Sequence, residues 1–224
     1  MDKTDEKDKL PLDQKLYNIF IVLARLGLAH LFFTQLWWKL PPNFGCGSEF
    51  NFPQPSEQNY WTDNNSNGLC YWMGLESIFA LKPRPVFIAD MRSAGLPTIS
   101  VDIAPVARLN GLLLDNLFIP NMRIFSWLVW LAEFWIFFSM FLGLFSRLGA
   151  LMAIGMTLQL FIGLANVPRP FEWEWSYGTA IFLAFAMLAT APGRVLGLDA
   201  WLRMKLLKPG SRSNLLTRSG LLLT

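Results

Sequence analysis

The chain has 224 residues, of which 53% are hydrophobic and only 16% charged, and its net charge at pH 7 is +3. This composition is typical of an integral membrane protein, and the basic residues form no aromatic-interleaved stripe of the kind that binds nucleic acid. With two cysteines and one histidine, the chain alone cannot build a cysteine-rich zinc or iron–sulfur site or a bis-histidine haem site.

The chain begins with a polar tail followed by a long apolar run. Residues 1–16 carry charges of both signs, and the run after them is too long for a signal peptide and has no small-residue cleavage site. The run at 17–38 is long enough to cross a bilayer, which takes about 20 residues, and it ends in an aromatic pair typical of the headgroup level. Arg25 and His30 are costly inside such a span, so we expect both to face a helix bundle and not lipid.

Residues 39–120 form a long insertion that is rich in Pro, Gly and Asn and too polar to cross the bilayer. It contains both cysteines, Cys46 and Cys70, which predicts a disulfide in an oxidising compartment. A redox-active pair is the alternative reading, but the spacing differs from CxxC. We expect the insertion to fold as a cap on the membrane surface.

Two further apolar runs, at 121–144 and 148–167, are joined by a very short polar turn, which predicts two antiparallel membrane helices. Glu133 lies in the middle of the first run and Gln159 in the middle of the second. An ionised carboxylate near the centre of a bilayer is costly and is kept only where it has a partner, water or a task. Glu133 is therefore a candidate functional residue, and a structural hydrogen-bonding role inside the bundle is the alternative.

Small residues recur at every fourth position in the third span, a pattern that lets membrane helices approach closely. They form two stripes: Gly149, Ala153 and Thr157, and Gly155, Gln159 and Gly163. A fourth predicted span occupies 173–191. Residues 192–224 form a basic tail that begins with an amphipathic segment able to lie in the membrane interface.

Together these segments predict an all-α fold. It is a single membrane domain built as a four-transmembrane-helix bundle, with a long disulfide-bearing extracytoplasmic insertion between the first two helices. The C-terminal tail is rich in Lys and Arg, which favour the cytoplasm, whereas long loops translocate largely regardless of charge. We therefore expect both termini in the cytoplasm, the cap outside, and the chain in the cell (inner) membrane.

The polar residues of the spans are expected to meet near the midplane of the bilayer. At a rise of about 1.5 Å per residue, Arg25, His30, Glu133 and Gln159 lie at similar depths. Arg25 is the predicted partner of Glu133, because an arginine–carboxylate pair can be bidentate. His30 lies about 140° from Arg25 around the helix, so the two cannot both point at Glu133. Above them we expect an aromatic rim of Trp37, Trp38, Trp173 and Trp175.

Several stretches of the chain carry a likeness to a known family. They are FIPNMRIF (118–125), Glu133 within the run that follows, FLGLFSRLGAL (141–151), EWEWSYG (172–178) and APGRVLGLDAWL (191–202). They resemble the DoxD/DoxX-like membrane family, in particular its DoxD branch, the small-subunit domain of thiosulfate:quinone oxidoreductase. The likeness covers about residues 116–202 and the first span, and little of the cap.

The resemblance implies a four-helix membrane bundle. For the DoxD branch it also implies oxidation of thiosulfate to tetrathionate coupled to reduction of a membrane quinone. It brings no established catalytic residues. The DoxA-type partner domain is not part of this sequence, so a DoxA-like subunit or a larger bioenergetic complex is an expected partner, together with membrane lipid.

Our first hypothesis is a quinone-linked enzyme subunit in which the polar residues of the spans handle protons. Glu133 and His30 would exchange the protons, while Arg25 would hold the carboxylate or polarise a quinone carbonyl. We find no flavin, haem or metal motif in the sequence. Electrons would therefore pass from sulfur to quinone directly or through another subunit.

The same hypothesis assigns contacts to the two substrates. Gln159, Trp37 and Trp38 would contact the quinone. Basic residues on the outer side would attract the thiosulfate dianion. These are Lys39, Arg123 and Arg169, together with Lys82, Arg84, Arg92 and Arg108.

Our second hypothesis is a non-catalytic accessory or scaffolding subunit of a larger respiratory or photosynthetic membrane complex. The Trp-rich surface, the cap and the amphipathic tail would then be docking surfaces. In that setting His30 could be an axial ligand of a chlorophyll-type pigment or a haem, although a hydrogen-bonding role in the bundle is the commoner one for such a residue. A transporter is a third reading, disfavoured because the chain has no inverted repeat.

Overall fold

The computed structural model describes residues 11–47, 50, 52, 68–90, 92–95, 97–167, 174–207, 220 and 222–224. The elements, in chain order, are α1 (Leu12–Leu36), α2 (Leu69–Phe79), β1 (Pro85–Ala89), β2 (Ile99–Asp102), α3 (Ala104–Leu113), α4 (Met122–Leu142), α5 (Ser146–Leu164), α6 (Glu174–Thr190) and α7 (Leu198–Leu206). The two strands pair as an antiparallel hairpin, and all the other elements are helical.

Three helical stretches within the described residues are long and apolar enough to cross a membrane: Leu12–Lys39, Ala104–Leu142 and Ser146–Leu164. This confirms a mostly helical membrane protein. The apolar helix at Ser176–Thr190 is shorter, so a fourth crossing stays a prediction. The orientation of the termini and the identity of the membrane also stay predictions.

The first span is longer at both ends than we predict. Helix α1 begins at Leu12 and continues through a 3-10 turn at Trp37–Lys39. It stops at Leu40, whose backbone is extended, because a residue before a proline is driven away from the helical conformation. The extra turn carries Lys39 into a buried position, which proves important for the site.

The second span begins well before the predicted boundary at 121. Helix α3 starts at Ala104 and runs into α4 through a π-helical turn at Leu114–Phe118 and a 3-10 turn at Ile119–Asn121. Pro120 has no N–H and would break a regular α-helix. The wider and the tighter turn change the hydrogen-bonding pattern around it, so that the chain stays helical. Residues 104–120, predicted as cap, thus belong to the same continuous helical stretch as the second span.

The described part of the cap is folded, and its predicted disulfide between Cys46 and Cys70 is confirmed. Cys70 lies in the first turn of α2. The disulfide is the centre of an apolar cluster formed with Phe44, Leu69, Met73, Leu114 and Met122. The bridge therefore ties the segment that follows α1 to the start of α2, and Leu114 and Met122 pack against it.

The chain divides into two compact units. The first unit comprises Met1–Phe32, Trp135–Met152 and Leu183–Thr224, and the second comprises Phe33–Phe134 and Ala153–Phe182. Both units contain buried polar side chains. These side chains differ between the units in what they bind.

Candidate functional site

In the first unit Arg25 binds backbone carbonyls. Its Nη1 donates to the carbonyl oxygens of Pro192 and Val195, and its Nη2 donates to that of Leu196, each at 3.1 Å. Arg25 is buried, with 3% of its surface exposed. The predicted pair between Arg25 and Glu133 is therefore wrong, because the turn after α6 occupies the guanidinium.

Asp199 holds the start of α5 in the same unit. Its Oδ1 accepts from the backbone N–H of Phe145 at 2.7 Å, and its Oδ2 accepts from that of Ser146 at 2.9 Å. In return, the N–H of Asp199 donates to the carbonyl of Gly143. A carboxylate at the N-terminus of a helix satisfies free N–H groups and is stabilised by the helix dipole.

A glycine completes this arrangement, which we call the Arg25–Asp199 node. Gly143 has a backbone φ of +62°, and a β-carbon there would overlap Nη1 of Arg25. Two of the stretches that carry the DoxD/DoxX-like likeness, 141–151 and 191–202, meet at this node. Within this chain they act as a structural joint, in which the Nη atoms of Arg25 bind backbone carbonyls and not the carboxylate of Glu133.

The second unit contains a buried ion pair between Lys39 and Glu133. The Nζ of Lys39 donates to Oε1 of Glu133, and both side chains are almost completely buried. The ammonium also lies 4.4 Å from the centroid of the Trp38 ring, a cation–π contact. The cationic partner of Glu133 is therefore Lys39. The prediction that Lys39 attracts thiosulfate from the outer side is wrong, because its ammonium is buried in this pair.

Three buried polar groups follow one face of α4 in this unit. They are Oγ of Ser126, Nε1 of Trp130 and Oε2 of Glu133, and none of them has a hydrogen-bond partner among the described residues. Their spacing of four and three residues places them on one side of the helix, over a rise of about 10 Å. Buried polar groups are normally satisfied. This set, two donors and one acceptor beside the Lys39 ammonium, therefore has the capacity to bind a small polar ligand.

Aromatic rings surround that set. Trp130 stacks on Phe134 with the ring centroids 5.5 Å apart, and Trp38 lies 6.4 Å from Trp72 of α2. Trp37 is largely exposed and touches Phe33 edge-on. Of the predicted rim, Trp37 and Trp38 are therefore present in this unit. Trp173 and the side chain of Trp175 lie outside the described residues.

A second buried carboxylate, Glu76 of α2, occupies another part of the second unit. Its Oε2 accepts hydrogen bonds from Nδ2 of Asn110 at 3.1 Å and from Nε2 of Gln159 at 2.7 Å. Its carboxyl group lies so close to Gly163 that a β-carbon there would overlap it. Gln159 and Gly163 thus pack against α2 and not against another membrane helix, while Gly155 faces open space. The stripe was predicted to let membrane helices approach closely, but Gln159 and Gly163 instead make room for the carboxyl group of Glu76 and bind it.

Burial raises the pKa of Glu76 to about 7. The hydrogen bonds from Asn110 and Gln159 and the charge of Arg84 lower the pKa, but by less than burial raises it. Arg84 is itself buried and donates to the carbonyls of Gly163 and Ala165 at the end of α5. A cation at a helix C-terminus stabilises the unpaired carbonyls and the negative end of the dipole. Arg84 is thus a helix cap, not a surface residue that attracts thiosulfate.

The other predicted site residues are less central. His30 is exposed, so the expectation that it faces the bundle is wrong. Because it lies about 140° from Arg25 around α1, burying Arg25 turns it outward. Arg123 is exposed, with its guanidinium carbon 5.7 Å from the Phe50 ring, and remains available to an anion. Arg169 lies outside the described residues.

The sequence could have pointed to Glu76. The segment LCYWMGLESIF carries one acid in an otherwise apolar run, the same signal that singles out Glu133. Ser126 and Trp130 gave no such signal, because serine and tryptophan are ordinary in membrane helices. Within the described residues, no group of three or more His, Cys, Asp or Glu side chains could hold a metal ion.

The chain was compared with models of protein families, with curated proteins and with solved structures, and no match was found in any of the three. The DoxD/DoxX-like resemblance therefore stays a prediction based on the stretches named above.

Proposed function

We propose that this chain is an integral membrane subunit of a quinone-linked oxidoreductase, with the quinone head group bound beside the Lys39–Glu133 pair. The observation that carries the proposal is the set of unpartnered buried groups on the part of α4 that belongs to the second unit: Ser126, Trp130 and Glu133. A quinone ring carries two carbonyl oxygens, which accept hydrogen bonds. The hydroxyl of Ser126 and the indole N–H of Trp130 are donors of the right kind.

Glu133 and Lys39 supply the proton chemistry of this site. Reduction of a quinone to a quinol consumes two electrons and two protons. Glu133, a carboxylate in the ion pair, can take up each of the two protons from solvent and pass it to a quinone oxygen, and Lys39 stabilises the carboxylate that is restored. The aromatic rings of Trp38 and Trp130 provide flat apolar surfaces for the ring.

For the electron donor we propose thiosulfate, on the DoxD resemblance alone. Two thiosulfate dianions join through a new S–S bond to form tetrathionate and release two electrons, which balances the reduction of one quinone. Arg123 of α4 and Arg108 of α3 are exposed cations available to attract the dianion. A DoxA-like subunit is the proposed partner, and the proposed location is the inner membrane with both termini in the cytoplasm.

The test compares quinone reduction by membranes that contain the wild-type chain, the Glu133→Gln variant or no chain. With thiosulfate and a short-chain ubiquinone analogue, we expect the wild type to reduce the quinone. Glu133→Gln should be slower by about 100-fold or more, since a general acid contributes that much. Asp115→Asn, which changes an exposed carboxylate, is the matched control and should be normal. Equal rates in all membranes would overturn the proposal.

An accessory role is the second candidate, favoured by one observation. The β1–β2 hairpin exposes apolar side chains along both strands, among them Phe87, Ile88, Ile99 and Val101. Such a hairpin suits docking to a larger complex. Co-purified large subunits with visible absorption bands, and normal turnover of that complex with Glu133→Gln, would favour this role over the enzymatic one.

A further inference from the structure

An apolar stripe extends beyond the part of the second span that is needed to cross the membrane. Helix α4 has 21 residues and is about 31 Å long, which already matches a hydrocarbon core of about 30 Å. The continuous helical stretch Ala104–Leu142 has 39 residues, or about 58 Å if it were straight. About 18 residues at its N-terminal end, on the same ruler, are therefore surplus to a perpendicular crossing.

That surplus is not polar. Large apolar side chains project from it and are between 46% and 60% exposed. We call them the α3 stripe: Val106, Leu109, Leu112, Leu113 and Leu117. Five large apolar residues together on one short segment are not expected in contact with water.

The stripe continues the lipid-facing side of α4. From Val106 the exposed positions follow at spacings of three, four, four and seven residues to Leu109, Leu113, Leu117 and Ile124, which keeps them on one face of a helix. The opposite face carries small or buried residues such as Ala107 and Gly111. A single apolar face thus runs from the span into the surplus segment.

Two exposed amide side chains near the stripe bond to the backbone of their own helix. Nδ2 of Asn116 donates to the carbonyl of Leu112 at 2.8 Å, and Nδ2 of Asn121 donates to that of Leu117 at 2.9 Å. Exposed amides in water have no need to bond to their own helix. In a bilayer such bonds are the available way to satisfy both the amide and the carbonyl.

We propose that the α3 stripe lies in the bilayer, with phospholipid as its occupant. The π-helical and 3-10 turns before Pro120 are the place where the helix bends or tilts, since sharp kinks arise at such turns. Residues 104–121 form an interfacial segment whose leucines enter the boundary of headgroups and acyl chains. The segment that the sequence assigned to a cap on the membrane surface is a membrane anchor.

The experiment places an environment-sensitive fluorophore on Leu109→Cys in the purified full-length chain. The two native cysteines form the disulfide, so the new thiol is labelled alone when no reductant is present. The chain is reconstituted in phosphatidylcholine vesicles that contain lipids with a doxyl quencher at a shallow or a deep position. Leu128→Cys, on the exposed apolar face of α4, is the lipid control, and Ser93→Cys, exposed at the hairpin tip, is the water control.

We expect the Leu109→Cys label to emit at shorter wavelength than the Ser93→Cys label. Its quenching should be stronger with the shallow doxyl lipid, while the Leu128→Cys label should respond more to the deep one. Emission like that of Ser93→Cys would overturn the proposal. So would short-wavelength emission without quenching by either lipid, which would mean that protein covers the stripe. If Leu109→Cys does not fold, Leu113→Cys provides the same test.

Discussion

Two buried charged groups, the Arg25–Asp199 node of the first unit and the Lys39–Glu133 pair of the second, bind different kinds of partner. In the first unit, Arg25 and Asp199 bind backbone groups at helix ends and turns, although Nε of Arg25 has no partner among the described residues. In the second unit, Glu133 keeps one carboxylate oxygen without a partner among the described residues, and Ser126 and Trp130 lie on the same helix face in the same state. The node therefore holds the backbone, whereas the open groups beside the Lys39–Glu133 pair lie together on one helix face, where they can bind a ligand.

The largest expected effect is the loss of Arg25. Arg25→Leu removes three hydrogen bonds from a charged donor to buried carbonyls. At about 1.5–3 kcal/mol each, we expect the free energy of unfolding to fall by about 5 kcal/mol. Thermal unfolding in detergent measures the change, and Arg25→Lys should be intermediate because lysine cannot span several carbonyls in a fixed geometry. A well-folded Arg25→Leu protein that has lost quinone reduction would contradict the structural role.

The next effect concerns the ion pair of the second unit. Lys39→Met leaves Glu133 buried without its cation, which should cost about 3–5 kcal/mol. Replacing both partners, in Lys39→Met with Glu133→Leu, should recover most of that loss, because two apolar side chains remove the uncompensated charge. The double variant should nevertheless be unable to reduce quinone. Unfolding midpoints of the single and double variants measure the coupling, and equal losses that simply add would argue against a direct pair.

A third effect is a dependence of stability on pH. The pKa of Glu76 rises from 4.5 to about 7 on folding. The folded chain therefore binds this proton more tightly than the unfolded chain. Its contribution to stability is complete below pH 4.5 and is lost as the pH rises to about 7. At 1.36 kcal/mol per pH unit, the loss amounts to about 3 kcal/mol.

Glu76→Gln should remove this pH dependence, because the amide does not titrate. Thermal unfolding between acidic and mildly alkaline pH provides the measurement. Asp115→Asn is the control, since Asp115 is exposed although it also contacts α2 through Ser77. It should retain the wild-type slope. A Glu76→Gln profile with the wild-type slope would show that another group titrates.

The smallest expected effects come from two buried serines on α4, one in each unit. Oγ of Ser139, in the first unit, donates to the carbonyls of Leu144 and Phe145. Ser139→Ala should therefore lower the free energy of unfolding by about 1–2 kcal/mol and leave quinone affinity unchanged. Ser126→Ala should change stability little, because Ser126 has no partner among the described residues. It should raise the Kd for quinone about fivefold, the equivalent of about 1 kcal/mol. If Ser139→Ala weakened quinone binding and Ser126→Ala lowered stability, the quinone site would belong to the first unit and not to the second.

The sequence predicts helices well and their partners poorly. The runs at 148–167 and 173–191 correspond closely to α5 and α6, because apolar length is a direct signal. The start of the second span is missed, because a proline normally ends a helix and the π-helical turn that accommodates Pro120 has no sequence signal. The disulfide between Cys46 and Cys70 is predicted correctly because only two cysteines exist.

The partners of the buried charges in the candidate site could not be predicted from the sequence. Depth along the membrane suggested Arg25 as the partner of Glu133, but depth carries no information on which way a side chain points. Lys39 is buried because a 3-10 turn extends α1 past the aromatic pair, and that extension depends on tertiary contacts. Glu76 was overlooked because its helix is short and lies between Pro- and Gly-rich segments, which favoured a loop.

The central claim is that quinone binds in the second unit, at the open groups of α4. The most direct measurement is photo-crosslinking of the purified chain with an azido derivative of a short-chain quinone, followed by mass spectrometry of the peptides. We expect labelling within 126–134 or at Trp38, suppressed by an excess of unmodified quinone and reduced in Glu133→Gln. Competable labelling confined to peptides of the first unit, such as those containing Arg25 or Asp199, or the absence of any competable labelling, would contradict it.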